Sequence, residues 1–284
     1  WESIRRELVA VLLRTLNPPI ITQWAMKQAN ENALLTWLSG LATTADWLGS
    51  MEGFFPYADT PINIKEYADQ AAEQATAALE TLHWTDWTPP TAPLAFRDQF
   101  TFEPTPMQQA IAQLADDLPG PALVLIEAPT GSGKTEAALY LADSWARTQQ
   151  QRGLYVAMPT MATSNQMHGR VGAWIARRYP SYALTPLLVH SQARWTTPPP
   201  ELVLHGETET EETTAQAWFL PRKRSLLAPC AVGTVDQALM SVLQTRHFFV
   251  RLFGLSRKTI IFDEIHAYDT YMSTLFQRLL GWLR

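Results

Sequence analysis

The sequence lacks the features that would point to an exported protein or a membrane protein. Cys230 is the only cysteine, which excludes an internal disulfide bond and fits a reducing cytoplasm. No apolar run approaches the roughly 20 residues that a bilayer-spanning helix needs, and no signal peptide precedes the first predicted helix. We therefore expect a soluble, cytoplasmic protein with no membrane partner. The 284 residues leave room for one large or two ordinary domains, and the 46% of hydrophobic residues are enough for a substantial core.

An excess of positive charge is also missing. The formal net charge is −5, and residues 1–90 hold 5 Lys/Arg against 11 Asp/Glu, whereas residues 91–284 hold 17 against 16. Neither part has the basic balance of a protein that binds DNA non-specifically. A nucleic-acid contact must then use local features, such as Arg177-Arg178, Arg222-Lys223-Arg224 or backbone N–H groups at helix starts. Each basic cluster is equally well explained as a solvated face.

The first part of the chain has the apolar spacing of helices alone. The predicted helices are Glu2–Leu16, Asn32–Ser50 and Ile64–Leu82. Residues 84–106 then become rich in proline, and we interpret them as a linker. The sequence therefore predicts an all-α part over residues 1–83 and a domain boundary after it.

From residue 107 to 284 the pattern alternates between helices and short apolar strands, which predicts an α/β domain with a mostly parallel sheet. Ligands of such sheets bind at the carboxyl ends of the strands. The predicted helices are Met107–Asp117, Thr135–Arg147, Ala162–Tyr179, Val235–Leu243 and Tyr271–Leu283. The predicted strands are Ala122–Glu127, Gly153–Met158, Pro186–His190, Pro229–Gly233 and Thr259–Phe262. The acidic stretch from Glu201 to Thr214 is predicted to be a surface loop.

A glycine-rich loop follows the first predicted strand and has the pattern of a phosphate-binding turn. It is Ala128-Pro-Thr-Gly-Ser-Gly-Lys134-Thr135, with Ala128 where the strict pattern has glycine. Backbone N–H groups of Gly131, Ser132 and Gly133, with the start of the next helix, can point at phosphate oxygens. Lys134 would neutralise the β- and γ-phosphates, and Thr135 would hold Mg²⁺.

An acidic pair at the end of the last predicted strand supplies the other half of an ATP site. The sequence there is Asp263-Glu264-Ile265-His266. Asp263 would orient Mg²⁺ through water, and Glu264 would polarise the attacking water. Lys134, Asp263 and Glu264 are therefore the predicted catalytic residues.

Four stretches make the sequence resemble a superfamily 2 helicase and, more narrowly, the CRISPR-associated nuclease-helicases of type I systems. The stretches are Ile126-Glu-Ala-Pro-Thr-Gly-Ser-Gly-Lys-Thr-Glu136, Met158-Pro-Thr-Met-Ala-Thr-Ser164, Val232-Gly-Thr-Val-Asp-Gln237 and Phe262-Asp-Glu-Ile-His-Ala-Tyr-Asp-Thr-Tyr271. The resemblance covers essentially the whole chain. The last stretch is the narrowest signal, since generic DExH boxes seldom continue as His-Ala-Tyr-Asp.

The resemblance implies a RecA-like first helicase lobe over residues 107–284, behind the C-terminal part of an HD-type nuclease domain. It implies a 3′ to 5′ translocase on single-stranded DNA that uses ATP and Mg²⁺ and is coupled to a metal-dependent nuclease. It also implies recruitment to foreign DNA by an RNA-guided type I surveillance complex (Cascade).

Two pairs of residues match the DNA-contacting motifs of such helicases. Pro159 and Thr160 correspond to one backbone contact, and Gly233 and Thr234 to a second. A hydroxyl beside helix-start N–H groups can grip a phosphate without reading the sequence, as a motor needs. The alternative is that Thr160 and Thr234 are ordinary helix caps.

Two further positions match motifs that serve the nucleotide. His266 corresponds to the residue that couples the nucleotide to DNA, with a buried, hydrogen-bonded histidine as the alternative. Gln108 resembles the glutamine that reads adenine, with Gln109 as a rival and a surface glutamine as the alternative.

The stretch Leu41–Ser50 resembles the end of the HD-type nuclease, in which the aspartate corresponding to Asp46 binds a divalent transition metal. The first histidine of this sequence is His83, so the histidine ligands of that site are absent and Asp46 cannot assemble it alone. A carboxylate on a helix face is the alternative.

We expect the chain to be a fragment, because it starts at Trp1 rather than methionine and stops at Arg284, before a second helicase lobe. That lobe carries an arginine that stabilises the transition state, so the fragment is predicted to bind Mg-ATP weakly and turn it over poorly. The open alternatives are a DExH helicase of repair or restriction and a non-catalytic, nucleotide-regulated docking module. The sequence suggests no role for Tyr268, Asp269 or Tyr271.

Overall fold

A computed structural model of the chain describes residues 1–18, 28–57, 63–85, 87–89, 91–118, 121–180, 185–189, 217–220 and 223–283. The helices of eight or more residues are α1 Glu2–Leu16, α2 Gln28–Gly49, α3 Ile64–Thr81, α5 Pro106–Asp117, α6 Lys134–Thr148, α7 Met161–Arg178, α9 Phe248–Leu255 and α10 Thr270–Leu283. Two five-residue helices are α4 Phe96–Phe100 and α8 Val235–Leu239, and the strands are β1 Leu154–Met158, β2 Leu187–Val189, β3 Cys230–Thr234 and β4 Thr259–Phe262. His190, Arg222 and the predicted loop from Glu201 to Thr214 lie outside the described residues.

The four strands form one parallel sheet in the order β2-β3-β1-β4, which confirms the predicted α/β class. Val156 in β1 is in register with Val232 in β3 and Ile261 in β4, and every residue of β1 and β3 is buried. Strands buried in this way are read from sequence as continuous apolar runs, as these two are. Because the strands are parallel, the segments that follow β1, β3 and β4 leave the sheet at the same edge.

The predicted strand Ala122–Glu127 is wrong. The segment carries no strand, and none of the four described strands pairs with it. Leu123 and Leu125 are 74% and 71% exposed, while Val124 and Ile126 pack on a small cluster that includes Ala137. An apolar run predicts a strand, but the assignment needs a hydrogen-bonded neighbour, which this segment does not have among the described residues.

The helix-rich N-terminal region is confirmed, and it packs on the α/β part. The ring of Trp37 in α2 lies 5.4 Å from that of Phe253 in α9, and its Nε1 donates to Ser256 Oγ at 3.1 Å. A Cβ on Gly40 would lie 2.8 Å from the carbonyl oxygen of Phe249, so this crossing requires glycine. The predicted bounds of α1 are confirmed, but the helix has no buried residue. No helix among the described residues is long and apolar enough to cross a membrane.

Residues 84–106, predicted as a linker, carry the helix α4 and several buried side chains. Trp87 stacks on Tyr179 at 4.6 Å, and Phe96 and Phe100 are buried in the same core cluster as the sheet. Leu82, at the end of the helical part, belongs to that cluster too. The two predicted domains therefore share one hydrophobic core, and their boundary stays a prediction.

Candidate nucleotide-binding site

The glycine-rich loop has the backbone geometry of a phosphate cradle. Gly131 and Gly133 have φ angles of 78° and 85°, a region that glycine occupies without steric cost. Gly133 is the N-cap of α6, and Lys134 is the first residue of that helix. A Cβ on Gly131 would meet nothing within 4 Å, so the loop has open space beside it. The N–H groups at this helix start can bind an anion.

The buried side chain of Gln108 is hydrogen-bonded to this loop, which contradicts the surface-glutamine alternative. The residue is 1% exposed, and its Nε2 donates to the carbonyl oxygen of Gly133 at 3.0 Å. Its Oε1 accepts from the backbone N–H of Thr105 at 2.9 Å and completes the N-terminal cap of α5. Gln109 is exposed and donates to the Pro104 carbonyl at 3.3 Å. An adenine contact by Gln108 would require an exchange of these hydrogen bonds and stays a prediction.

The Lys134 ammonium lies over the loop. Its Nζ donates to the carbonyl oxygens of Ala128 at 2.8 Å and Pro129 at 3.2 Å. An ammonium has three donors, and these contacts use two. Ser132 closes the turn through Oγ, which donates to the same Pro129 carbonyl at 2.7 Å. Thr135 follows in the first turn of α6 and is half-buried.

The acidic pair leaves the sheet at the end of β4. Asp263 continues the pairing with β1, since its N–H donates to the Ala157 carbonyl at 3.0 Å. Its Oδ1 accepts from the Glu264 N–H at 3.0 Å. Glu264 has a φ angle of 54°, a left-handed conformation that costs a non-glycine residue on the order of 1 kcal/mol. The helix α6 packs against β4, so the phosphate loop and the acidic pair belong to neighbouring elements.

His266 lies beside the acidic pair and is not a buried histidine. Its side chain is 79% exposed, and its Nδ1 lies 3.3 Å from Glu264 Oε2. The buried-histidine alternative is therefore wrong, and the imidazole is accessible to a ligand. The coupling role stays a prediction.

The predicted DNA contacts lie side by side at the sheet edge, because Met158 of β1 is in register with Thr234 of β3. Thr160 caps α7 through Oγ1, which accepts from the Thr163 N–H at 3.2 Å, so the helix-cap interpretation is confirmed for this residue. Thr234 makes no such side-chain cap. Its carbonyl accepts from the Tyr155 hydroxyl at 2.9 Å instead. The DNA role of both threonines stays a prediction.

Gly233 and Pro159 precede these threonines. A Cβ on Gly233 would collide with the Val189 carbonyl oxygen and lie 2.8 Å from the Tyr155 hydroxyl, so only glycine fits there. Pro159 is half-buried between β1 and α7.

Two arginines from the basic clusters make contacts inside the protein. Arg178 is buried and paired with Asp143, with Nε 2.7 Å from Oδ1. Arg224 lies 4.9 Å above the ring of Trp218, and burial lowers the pKa of its guanidinium. Arg178 is therefore not part of a solvated face, and Arg224 is half-buried against Trp218.

Asp46 is an exposed carboxylate on α2. Within the described ranges, no three His, Cys, Asp or Glu side chains are grouped so that they could hold a metal ion. The neighbouring Trp47 lies edge-on to His247, with ring centroids 5.2 Å apart. The metal role of Asp46 stays a prediction.

The structure gives Asp269 a role that the sequence did not suggest, and it shows where Tyr268 and Tyr271 lie. Asp269 caps α10, since its Oδ1 accepts from the Met272 N–H at 2.8 Å. An aspartate just before a helical pattern is a known N-cap signal and could have been recognised. Tyr271 is 63% exposed, whereas the hydroxyl of Tyr268 is buried without a hydrogen-bond partner among the described residues. No sequence signal predicts that hydroxyl's position.

Known proteins resemble this chain over all of its length. The sequence matches the DEAD/DEAH box helicase family over residues 105–283. The CRISPR-associated endonuclease/helicase Cas3 of Thermus thermophilus is 38% identical over 292 residues, which cover 100% of this chain and 31% of that protein. The crystal structure of T. fusca Cas3-ATP superposes with a TM-score of 0.79 at 34% identity and covers 100% of this chain and 32% of that one.

A second similar structure is that of a CRISPR RNA-guided surveillance complex in a pre-nicking state. One of its chains superposes with a TM-score of 0.65 at 31% identity, over 100% of this chain and 27% of that one. The chain thus spans about a third of the length of the relatives it matches.

Proposed function

The chain belongs to the DEAD/DEAH box helicase family and is Cas3-like along its length, and on that premise we propose that it is the ATP-hydrolysing first lobe of a DNA motor. The proposal rests on one observation, which is that the glycine-rich loop and the acidic pair lie on neighbouring elements. The phosphate cradle opens α6, and α6 packs on the strand that ends at the acidic pair. The similar T. fusca structure is one of Cas3-ATP, which supports the same ligand here.

Each residue of the site has a part in hydrolysis. The N–H groups of Gly131, Ser132 and Gly133 and the Lys134 ammonium would bind the phosphates. Thr135 and Asp263 would hold Mg²⁺, which neutralises charge on the transferred phosphoryl group. Glu264 would orient the attacking water and polarise it. The positive φ angles and the open space at Gly131 fit a bound polyphosphate.

The motor would act on single-stranded DNA in the 3′ to 5′ direction. Thr234 ends β3, and Thr160 lies two residues beyond the end of the paired strand β1. Thr160 is exposed and Thr234 is buried, so a DNA backbone would contact the Thr160 side chain directly and would reach Thr234 only after a local movement of its turn. His266, exposed beside Glu264, could sense this contact. The support for the direction of movement is the resemblance of the motifs.

In the whole protein, the motor would be joined to a nuclease that degrades foreign DNA in type I CRISPR interference. Asp46 would be one ligand of a divalent transition metal in that nuclease. The similar chain within an RNA-guided surveillance complex supports such a complex as the partner.

The test is ATP hydrolysis by the full-length protein with and without single-stranded DNA, beside Lys134→Ala. We expect DNA to stimulate hydrolysis by the wild-type protein. The rate of ATP hydrolysis should fall by several orders of magnitude in Lys134→Ala, because the phosphates lose their cation. Metal-dependent cutting of free single strands should persist in the variant. Lys65→Ala, which changes an exposed lysine on α3, is the matched control and should keep full activity.

Hydrolysis without stimulation by DNA would reject the motor in favour of a nucleotide-regulated docking module. ATP-driven unwinding retained by Lys134→Ala would reject the assignment of the site itself.

A further inference from the structure

The Tyr268 hydroxyl is an unexplained polar group next to the nucleotide site. It is buried without a hydrogen-bond partner among the described residues. Its ring is held edge-on to Phe276 at 5.7 Å, and Phe276 lies edge-on to Phe262 of β4 at 4.8 Å. A buried hydroxyl in a native protein almost always has a partner, so this one requires an explanation.

Two carboxylates from different motifs act on this hydroxyl. Burial raises the pKa of Tyr268, and the charges of Asp263 and Asp236 raise it further. The hydroxyl therefore remains protonated and can donate a hydrogen bond. Asp263 ends the strand β4, and Asp236 lies in α8, two residues beyond Thr234.

Two hydrogen bonds to backbone carbonyls hold the turn that carries Thr234. The buried Tyr155 hydroxyl donates to the Thr234 carbonyl, and Arg251 Nη1 donates to the Gln237 carbonyl at 3.2 Å. The Asp236 side chain is exposed and is not part of these contacts. Its carboxylate can thus accept a hydrogen bond on this turn, and α8 packs against α10, the helix that follows Tyr268.

We propose that Tyr268 is a positioning residue that links the acidic pair of the nucleotide site to the Thr234 turn, through a hydroxyl that donates to Asp263 or to Asp236. It can donate to only one carboxylate at a time. When Asp263 is engaged elsewhere, the hydroxyl is left to Asp236, and this hydrogen bond ties the first turn of α8, next to Thr234, to the segment that follows the acidic pair. The inference rests on the proposed ATP-driven DNA motor.

The experiment removes the hydroxyl alone, with Tyr268→Phe in the full-length protein. The kcat and KM for ATP are measured with and without single-stranded DNA. We expect the KM for ATP to stay within about twofold, while the stimulation by DNA falls roughly fivefold or more, as for other couplings between two sites. Tyr271→Phe, at an exposed tyrosine three positions later, is the matched control and should keep full stimulation.

Asp236→Asn is the second variant and should lose stimulation to a similar extent, because the amide is a poorer acceptor of the same size. It decides the question if Tyr268→Phe fails to fold. Stimulation equal to that of the wild type in either folded variant would overturn the link between Tyr268 and the turn. A wild-type protein without stimulation would overturn this inference together with the motor.

Discussion

Lys258 is a buried cation outside the nucleotide site. Its Nζ donates to the Leu226 carbonyl at 2.6 Å and to that of Ala228, and so holds the turn before β3. The residue is partly accessible, but its ammonium is surrounded by protein. Burial lowers the pKa of Lys258 from its usual 10.5 to about 7, against a smaller opposing effect of Cys230.

This shift predicts that stability rises with pH. Between pH 7 and pH 10.5 the unfolded chain keeps the proton on Lys258 and the folded protein does not. The cost of burying the charge is thus full below pH 7 and is relieved as the pH rises. We expect the free energy of unfolding to gain about 2 kcal/mol from this group between pH 7 and pH 9. Urea unfolding of the wild type and of Lys258→Met measures it, and equal pH slopes in the two proteins would contradict it.

Residues of local motifs could be predicted from the sequence, and residues that act through distant contacts could not. Gly131, Gly133 and Lys134 lie where their motif requires. The bond from Tyr155 to the Thr234 carbonyl joins positions 79 residues apart, and no local spacing encodes it. The burial of the Tyr268 hydroxyl likewise depends on the packing of α10.

At the scale of elements, one buried carboxylate joins α6, α7 and the segment before α5. Asp143 accepts from Arg178, from the Tyr179 hydroxyl at 2.9 Å and from Gln99 Nε2 at 3.1 Å. Arg178 also donates to the Ala92 carbonyl at 3.2 Å. Arg178, Tyr179 and Gln99 thus all donate to Asp143, a side chain of the helix that starts at the phosphate loop.

Removal of this carboxylate should loosen the whole junction. Asp143→Ala leaves the Arg178 charge buried without its partner, which we expect to cost about 3 to 5 kcal/mol. Chemical denaturation measures the loss, and limited proteolysis should show earlier cleavage within residues 84–106. Asp117→Ala, at an exposed carboxylate on α5, is the control and should change stability by less than about 0.5 kcal/mol. A loss of under about 1 kcal/mol in Asp143→Ala would show that the junction is held by apolar packing alone.

Elements with a clear apolar pattern were predicted well when their neighbours in the fold agreed with that pattern, and two other segments were not. The bounds of α1 and β4 match the prediction, since each has a clear period or a continuous apolar run. The helix α9 was missed because Phe248–Leu255 is short and mostly apolar, and a run of this kind does not by itself separate a buried helix from a buried strand. The segment 122–127 was predicted to be a strand from its short apolar run, although strand pairing depends on a neighbour that the run does not specify.

At the scale of the molecule, the helical part and the α/β part are one packed unit. Leu48 and Ala78 from the helices are buried in the same cluster as Val156 and Val232 from the sheet. The proline-rich stretch was predicted to be a linker at a domain boundary, but the buried aromatic residues within it tie the two parts together. A substitution in the helical part can therefore affect the α/β part through packing. Whether the proposed nuclease and ATPase activities are separable is a question for experiment.

Asp46→Ala in the full-length protein tests that separation. If Asp46 is a ligand of the nuclease metal, the variant should lose most metal-dependent cutting of single strands, because the metal loses a charged ligand. It should keep hydrolysis of ATP stimulated by DNA, since Asp46 lies on α2 and is not part of the phosphate loop or of α6. Asp69→Ala, at an exposed carboxylate on α3, controls for the loss of one surface charge. Cutting at the wild-type rate would show that Asp46 is only a carboxylate on a helix face, and a parallel loss of hydrolysis would show that the shared core couples the two activities.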